Sequence, residues 1–152
     1  MTEREESEDP MEFIAQTTHG DQGARVLIVE DHPMIAELLE TRLRIEGMQP
    51  TKCLGGREAM EALKERGFDL VILDIMMPEV DGYEVLAFLR SREATRHLPI
   101  ILLTAKSTQD DIAKGLALGA DYYITKPFSG RDLVNKVRIL LDQHTLSHAA
   151  QA

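Results

Sequence analysis

Five short apolar runs alternate with segments of helical periodicity along this chain, and the alternation restricts its fold more than any other feature. Parallel strands need crossover connections, which helices usually supply. The runs LVIL and PIILL are almost wholly hydrophobic, as expected of strands that are buried on both faces. The sequence therefore predicts an α/β fold, a three-layer sandwich in which a five-stranded parallel sheet lies between helices. The predicted strands are RVLIV (25–29), QPTKC (49–53), DLVIL (69–73), PIILL (99–103) and DYYIT (121–125).

The segments between these strands carry apolar residues at helical spacing. The stripes are Ile35, Leu38 and Leu39; Ala59, Ala62 and Leu63; Val85, Leu86 and Leu89; Ile112 and Leu116; and Leu133, Val134, Val137, Leu140 and Leu141. Asp81 followed by Glu84 has the pattern of a capping box, and Thr108 is placed to cap the next helix. The second strand is polar enough to predict a position at the edge of the sheet.

Composition divides the chain into three parts. Residues 1–24 hold seven acidic residues and one arginine, which predicts a disordered acidic extension. The alternating pattern occupies residues 25–142 and predicts one folded domain. Residues 143–152 contain no Asp, Glu, Lys or Arg, and we interpret them as a C-terminal tail.

The bulk properties exclude several classes of protein. The net charge is −9, and the sequence lacks a basic stripe with interleaved aromatic residues. We therefore expect no direct contact with nucleic acid. No apolar run reaches the roughly 18 residues that a membrane-spanning helix needs. The acidic N-terminus is unlike a signal peptide, and a single cysteine cannot form an internal disulfide. We therefore expect a cytoplasmic protein without membrane contact.

Polar residues follow four of the predicted strands, where each strand ends. Glu30 and Asp31 follow the first strand, Asp74 the third, Thr104 the fourth and Lys126 the fifth. In open α/β sheets the carboxyl ends of the strands form the ligand-binding edge. The sequence therefore predicts that these five side chains meet at one edge.

Their chemistry matches phosphoryl transfer with a metal ion. Clustered carboxylates repel one another unless a cation lies between them, and oxygen ligands favour Mg²⁺. A carboxylate beside such an ion can act as a nucleophile and form an acyl phosphate. We assign Asp74 as the acceptor, Glu30 and Asp31 to the metal, and Lys126 and Thr104 to the phosphoryl oxygens.

The chain resembles the receiver domain of two-component response regulators from about Arg25 to Asp142. The resemblance is carried by VLIVEDHP, DLVILDIMMPEVDGYEVL, PIILLTAK, LGADYYITKPF and the last helix. It implies the flavodoxin-like strand order 2-1-3-4-5 of the chemotaxis response regulator. It also implies a phosphorelay role, in which Asp74 accepts a phosphoryl group from a sensor histidine kinase or a phosphotransfer protein.

The resemblance assigns further roles. Mg²⁺ would be bound by Glu30, Asp31, Asp74 and the backbone carbonyl of Met76. Apart from self-catalysed phosphorylation and dephosphorylation, the family implies no enzyme activity.

Thr104 and Tyr123 would act as the switch, and the Lys126–Pro127 bond would be cis. Met76 and Lys106 flank the path of the attacking water and would tune the lifetime of the phosphate. We interpret His32 as a residue at the start of the first helix rather than as a metal ligand.

The resemblance also implies an output surface over residues 108–141. Its mixed charge, together with KPFSGRDLVNKVR, resembles receivers of transcription regulators that form homodimers on phosphorylation. The alternative is an ordinary charged helix exterior.

Other functions remain as hypotheses. The chain could be the N-terminal receiver of a longer DNA-binding transcriptional regulator. An aspartyl-phosphate phosphatase would have a second aspartate two residues after Asp74, where Met76 stands. A nucleotide or flavin site is disfavoured, because EDHPMIAE offers two acids and no glycine after the first strand. A degenerate receiver that serves only as a scaffold would lack an active-site residue, and none is missing.

Overall fold

The computed structural model describes residues 23–151, and the side chains of residues 23–144. The predicted disordered extension therefore lies outside the described residues, except for Gly23 and Ala24. Both of these belong to the fold, because the Gly23 amide donates to the Gly47 carbonyl and the Ala24 carbonyl accepts from the Gln49 amide. The folded part thus includes two residues before the predicted boundary at Arg25.

Strands and helices alternate along the described chain, as predicted. The elements are β1 (Arg25–Val29), α1 (Pro33–Ile45), β2 (Gln49–Cys53), α2 (Gly56–Glu65), β3 (Leu70–Leu73), α3 (Gly82–Ser91), β4 (Ile100–Thr104), α4 (Gln109–Ala117), β5 (Tyr122–Thr125) and α5 (Gly130–Gln151). None of these helices has the length and apolar content needed to cross a bilayer.

The strands form one parallel sheet in the order β2-β1-β3-β4-β5. This confirms the predicted 2-1-3-4-5 order and the edge position of the polar strand β2. The inner strands β3 and β4 are buried along their whole length. One hydrophobic core lies between the sheet and α2 and α3, and the other between the sheet and α1 and α5. The three-layer α/β sandwich is therefore confirmed.

The predicted helix caps are present. The Glu84 amide donates to Asp81 Oδ1 at 3.0 Å, and the Asp81 amide donates to Glu84 Oε1 at 2.9 Å. At α4, the Asp111 amide donates to Thr108 Oγ1 at 3.1 Å, and the reciprocal bond is also present. These short-range signals set the first turns of α3 and α4.

Two residues of the predicted apolar stripes lie at the surface instead of in the core. Leu38 is 61% exposed and Leu116 is 45% exposed. In α1 the buried side chains are Ala36, Leu39 and Leu43, so Leu38 lies outside the buried stripe. In α4 the only buried residue is Gly115, where an added Cβ would lie 2.6 Å from Leu102 Cδ1. Because α4 approaches the sheet through a glycine, the neighbouring Leu116 is left at the surface.

The last helix continues through the segment that we interpreted as a C-terminal tail. Helix α5 ends at Gln151, nine residues beyond the predicted domain boundary at Asp142. The sequence QHTLSHAAQ contains neither glycine nor proline, and alanine, leucine and glutamine are good helix formers. The absence of charge was therefore a poor indicator of where the helix ends.

A single arginine joins the amino ends of β4 and β5. Arg90 donates from Nη2 to the Gly119 carbonyl at 2.7 Å and from Nη1 to the Leu98 carbonyl at 2.8 Å. Its partner Asp121 lies 3.3 Å away and also accepts the Ile100 amide at 2.8 Å. Burial lowers the pKa of Arg90, and the charge of Asp121 acts in the opposite direction. These bonds fix the relative position of two strands whose opposite ends carry site residues.

Candidate functional site

Three carboxylates come together at the carboxyl edge of the sheet. Glu30 and Asp31 follow β1, and Asp74 follows the neighbouring strand β3. One oxygen from each residue lies within 4.8 Å of the others. Glu30 and Asp74 are only 2% and 4% exposed, whereas Asp31 is half-buried. The predicted acidic cluster is therefore formed, and two of its members are almost removed from water.

Backbone amides orient the two buried carboxylates. The His32 amide donates to Glu30 Oε2 at 3.2 Å, and the Met76 amide donates to Asp74 Oδ1 at 3.0 Å. In both bonds the donating amide lies two residues after the accepting carboxylate. Each carboxylate is therefore held by the turn that follows its own strand. This leaves Glu30 Oε1 and Asp74 Oδ2 for other partners.

Lys126 binds those two oxygens. Its Nζ lies 2.8 Å from Glu30 Oε1 and 3.0 Å from Asp74 Oδ2. The Lys126–Pro127 peptide bond is cis, as the family resemblance implied. Lysine and both acids are therefore in direct contact, although 52 residues separate Lys126 from Asp74 in the sequence.

Burial and charge perturb both sides of this contact. Burial raises the pKa of Glu30, and the nearby charge of Asp74 raises it further against the opposing effect of Lys126. Burial alone would lower the pKa of Lys126, but its close contacts with the carboxylates of Glu30 and Asp74 outweigh that effect and raise it. The raised pKa of Lys126 thus reflects the negative charge that surrounds its ammonium group.

The residues present fit a divalent cation. Three carboxylates face one ammonium group, and Glu30 Oε1 is buried with an ion pair but no well-aligned hydrogen bond. All the offered side-chain ligands are oxygens, the donor type that Mg²⁺ prefers. A hard ion at this position would relieve the repulsion between the carboxylates.

A glycine allows the Asp74 turn to pack closely against α3. The Gly82 amide donates to the Ile75 carbonyl at 2.9 Å. A Cβ at Gly82 would lie 2.4 Å from the Asp74 carbonyl oxygen, so a larger residue would displace the backbone that carries Asp74. This role of Gly82 was not predicted, although its place one residue after the cap Asp81 was a usable signal.

Thr104 and Tyr123 are both connected to the backbone of Lys106. Thr104 is fully buried at the end of β4, and its Oγ1 accepts from the Lys106 amide at 3.4 Å. The Tyr123 hydroxyl donates to the Lys106 carbonyl at 2.9 Å. The two residues predicted as a switch therefore share one neighbour, which sequence reasoning did not reveal.

An open cleft of about 520 Å³ lies between Lys106 and the turn that follows Asp74. Its lining includes Met76, which is 52% exposed, together with Tyr83, Lys106 and Lys114. Lys114 Nζ lies 4.0 Å from the centre of the Tyr83 ring, a cation–π contact that joins α4 to α3. Met76 and Lys106 thus line one cleft next to the turn that follows Asp74, and their influence on the lifetime of a phosphate stays a prediction.

Comparison with known proteins gives a consistent result. A family model described as the response regulator receiver domain matches residues 26–138. The phosphate regulon transcriptional regulatory protein PhoB of Rhizobium meliloti is 43% identical over 117 residues, covering 77% of this chain and 52% of PhoB. The chain spans about half the length of the curated relatives it matches.

Solved structures show the same likeness. The receiver domain of a signal transduction histidine kinase from Syntrophus aciditrophicus is 40% identical with a TM-score of 0.74, covering 79% of this chain and 91% of that one. The receiver domain of sensor histidine kinase PA1611 from Pseudomonas aeruginosa PAO1 is 31% identical with a TM-score of 0.73, covering 79% and 98%. That structure has a magnesium ion coordinated in the active site cleft.

The Tyr123 hydroxyl provides a test of the geometry around Lys106. Burial, followed by the charges of Tyr83, Asp111 and Asp74, raises the pKa of Tyr123 to about 12. Because the folded-state pKa is raised, the neutral phenol contributes stability below its unfolded pKa of roughly 10, and this is lost between pH 10 and 12. We expect Tyr123→Phe to remove a phenolate absorbance step near pH 12 and to lose stability less steeply over that range. Removal of a step near pH 10 instead would contradict the buried hydrogen bond.

Proposed function

Because this chain belongs to the response regulator receiver domain family, we propose that it receives a phosphoryl group on Asp74 and uses the new charge to alter a binding surface. The observation that carries the proposal is the setting of Asp74. Its carboxylate is 4% exposed, lies between the Met76 amide and the Lys126 ammonium, and stands beside two further acids. A buried acid with these partners is suited to forming an acyl phosphate.

The transfer step follows from these contacts. An Asp74 oxygen forms a bond to phosphorus while the bond from phosphorus to the donor nitrogen of a phosphohistidine breaks, and the imidazole leaves with its electron pair. Lys126 would then move from bridging two carboxylates to pairing with a phosphoryl oxygen. Thr104, at the end of the adjacent strand, would donate its hydroxyl to another. Hydrolysis by water reverses the modification and restores the carboxylate.

The metal ligands would be Glu30, Asp31, Asp74 and the backbone carbonyl of Met76. When bound, Mg²⁺ would neutralise charge on the phosphoryl oxygens during transfer. Glu30 and Asp31 serve the ion without themselves reacting. The surplus of carboxylates over ammonium groups in this pocket supports that division of roles.

The switch would be carried by Thr104, Tyr123 and the Lys106 backbone between them. Phosphorylation adds about −1.5 to −2 charges and three strong acceptors. If Thr104 turns toward the phosphoryl group, its contact with the Lys106 amide is lost. The Tyr123 hydroxyl bonds to the same residue, so the change reaches β5 and α4. Two states that differ in these contacts satisfy the requirement for a population shift.

The affected surface would be residues 108–141, where we propose partner binding or homodimerisation. It carries mixed charge, including the Lys136–Asp132 ion pair at 3.2 Å. It also carries the exposed apolar residues Leu116, Leu118 and Ile139. This mixture suits association between identical copies better than contact with nucleic acid.

Upstream partners of receiver domains are histidine kinases or phosphotransfer proteins, and we propose that one of these phosphorylates this chain in the cytoplasm. The similar regulators are not enzymes acting on external substrates, so we propose only self-catalysed phosphorylation and dephosphorylation. One alternative has a specific observation in its favour. The matching transcriptional regulators are about twice as long, which suits a receiver that controls an attached DNA-binding part.

The phosphoryl acceptor can be tested by mass spectrometry of the intact protein. Incubation with acetyl phosphate and Mg²⁺ should add one phosphoryl group, which hydroxylamine removes because it cleaves acyl phosphates. Asp74→Asn should abolish the gain, and EDTA should suppress it. Lys126→Met should slow it by about 100-fold, the usual cost of losing one group that stabilises the transition state.

Asp69→Asn is the matched control, because Asp69 lies at the opposite end of the same strand and bonds the Arg25 amide at 2.8 Å. It should be labelled like the unchanged protein. Equal labelling of Asp74→Asn and the unchanged protein would refute the assignment.

Dimerisation can be measured by sedimentation with and without beryllofluoride, which occupies the position of a phosphoryl group. We expect the sedimenting mass to double in the unchanged protein and to stay constant in Asp74→Asn. A monomer under both conditions would exclude homodimerisation while leaving the acceptor role intact.

A further inference from the structure

Helix α1 presents an unusually apolar outer surface. Met34, Leu38 and Ile45 are 76%, 61% and 63% exposed. Eight large hydrophobic residues in the described part of the chain are exposed, and three of them lie on this one helix. Concentrated exposed apolar area of this kind marks a binding surface more often than scattered single residues do.

A groove runs along this helix toward the site. It has a volume of about 590 Å³ and lies between α1 and the start of α5. Ile35 and Leu38 line one wall, Leu133 lines the other, and Pro127 and Phe128 close the end next to Lys126. We call this cavity the α1–α5 groove. Its apolar lining suits an occupant that inserts hydrophobic side chains.

The charged residues among the described lining are both cationic. They are Arg42 and Lys126, and the described lining contains no acidic residue. Lys126 is already paired with Glu30 and Asp74, so Arg42 is the cation that a carboxylate of an occupant would approach. Arg42 Nε is buried, lies 3.4 Å from Glu46 Oε2 and makes no hydrogen bond. Its guanidinium lies over the first turn of α5, where Nη1 would be 3.3 Å from a Cβ at Gly130. An occupant that combines apolar side chains with nearby carboxylates would match both features of the groove.

The chain itself contains a segment of this composition. Residues 8–15 read EDPMEFIA. This segment contains three acidic residues together with the apolar residues Met11, Phe13 and Ile14. It is the one apolar cluster within the acidic residues 1–22. We propose that residues 8–15 bind in the α1–α5 groove of the same chain, with Phe13 and Ile14 against the apolar walls and the acids facing Arg42.

The connection to the fold permits this contact. The Gly23 amide donates to the Gly47 carbonyl at 2.9 Å, so the described part of the chain begins beside the C-terminal end of α1. Helix α1 has thirteen residues and is roughly 20 Å long. The ten residues from Phe13 to Gly23 can span roughly 33 Å when extended. The segment can therefore return along α1 and reach the groove.

Attachment to the same chain also favours this occupant over a second copy. A short flexible linker gives an effective concentration in the millimolar range, well above that of a dilute protein partner.

Paramagnetic relaxation in the full chain tests the proposal directly. A nitroxide can be attached at Gln16→Cys, because the native Cys53 is buried and burial raises its pKa to about 11, which leaves little reactive thiolate. We expect at least a twofold loss of amide signal at Leu38, Phe128 and Gly130. Signals on the opposite helix layer, such as that of Phe88, should be unchanged.

Matched variants separate docking from simple proximity. Phe13→Ser with Ile14→Ser should restore the groove signals, whereas Thr17→Ala with Thr18→Ala should leave them weakened. Signal loss confined to residues near Gly47 would show tethering alone and overturn the proposal. Loss of signal in an isotope-labelled chain mixed with spin-labelled chains would assign the groove to a second copy and also overturn it. None of these readouts depends on phosphorylation of Asp74.

Discussion

The burial of two carboxylates beside a single ammonium group is the constraint on which the rest of the structure depends. Glu30 and Asp74 are almost inaccessible to water, and Lys126 contacts both. Burying such a charge is costly unless it is paired, and a third acid, Asp31, lies within ligand distance of the others. The site therefore contains a deficit of positive charge, which suits it to bind a divalent cation.

The fold makes this arrangement possible by bringing distant residues to one edge. In the observed strand order, β1 and β3 are neighbours, so the acids that follow them are adjacent although more than forty residues separate Asp31 from Asp74. The backbone amides of the following turns then hold each carboxylate. At the amino ends of the strands, Arg90 joins β4 to β5. The carboxyl ends of these two strands carry Thr104 and Lys126. The paired strands thus fix the positions of the short turns that carry the site residues.

Patterns that act over a few residues were predictable, whereas packing between distant elements was not. The strand positions, the edge strand and the two capping boxes followed from apolar runs, polarity and local spacing. The exposure of Leu38 and Leu116 did not, because it depends on how each helix lies on the sheet and, for α4, on the close approach at Gly115. The same holds for the contact of Thr104 and Tyr123 with one Lys106 backbone. The extent of α5 did not follow from the lack of charge after Asp142, because good helix formers continue through that segment.

Binding of Mg²⁺ by the acidic cluster is tested most directly by unfolding the protein in urea with and without the ion. A ligand that binds only the folded state stabilises it by about 2.7 kcal/mol at one hundred times its dissociation constant. We expect saturable stabilisation of this order by MgCl₂, lost in Asp31→Asn and retained in Asp69→Asn. An unfolding free energy that is the same in MgCl₂ and in EDTA would contradict Mg²⁺ binding by Glu30, Asp31 and Asp74.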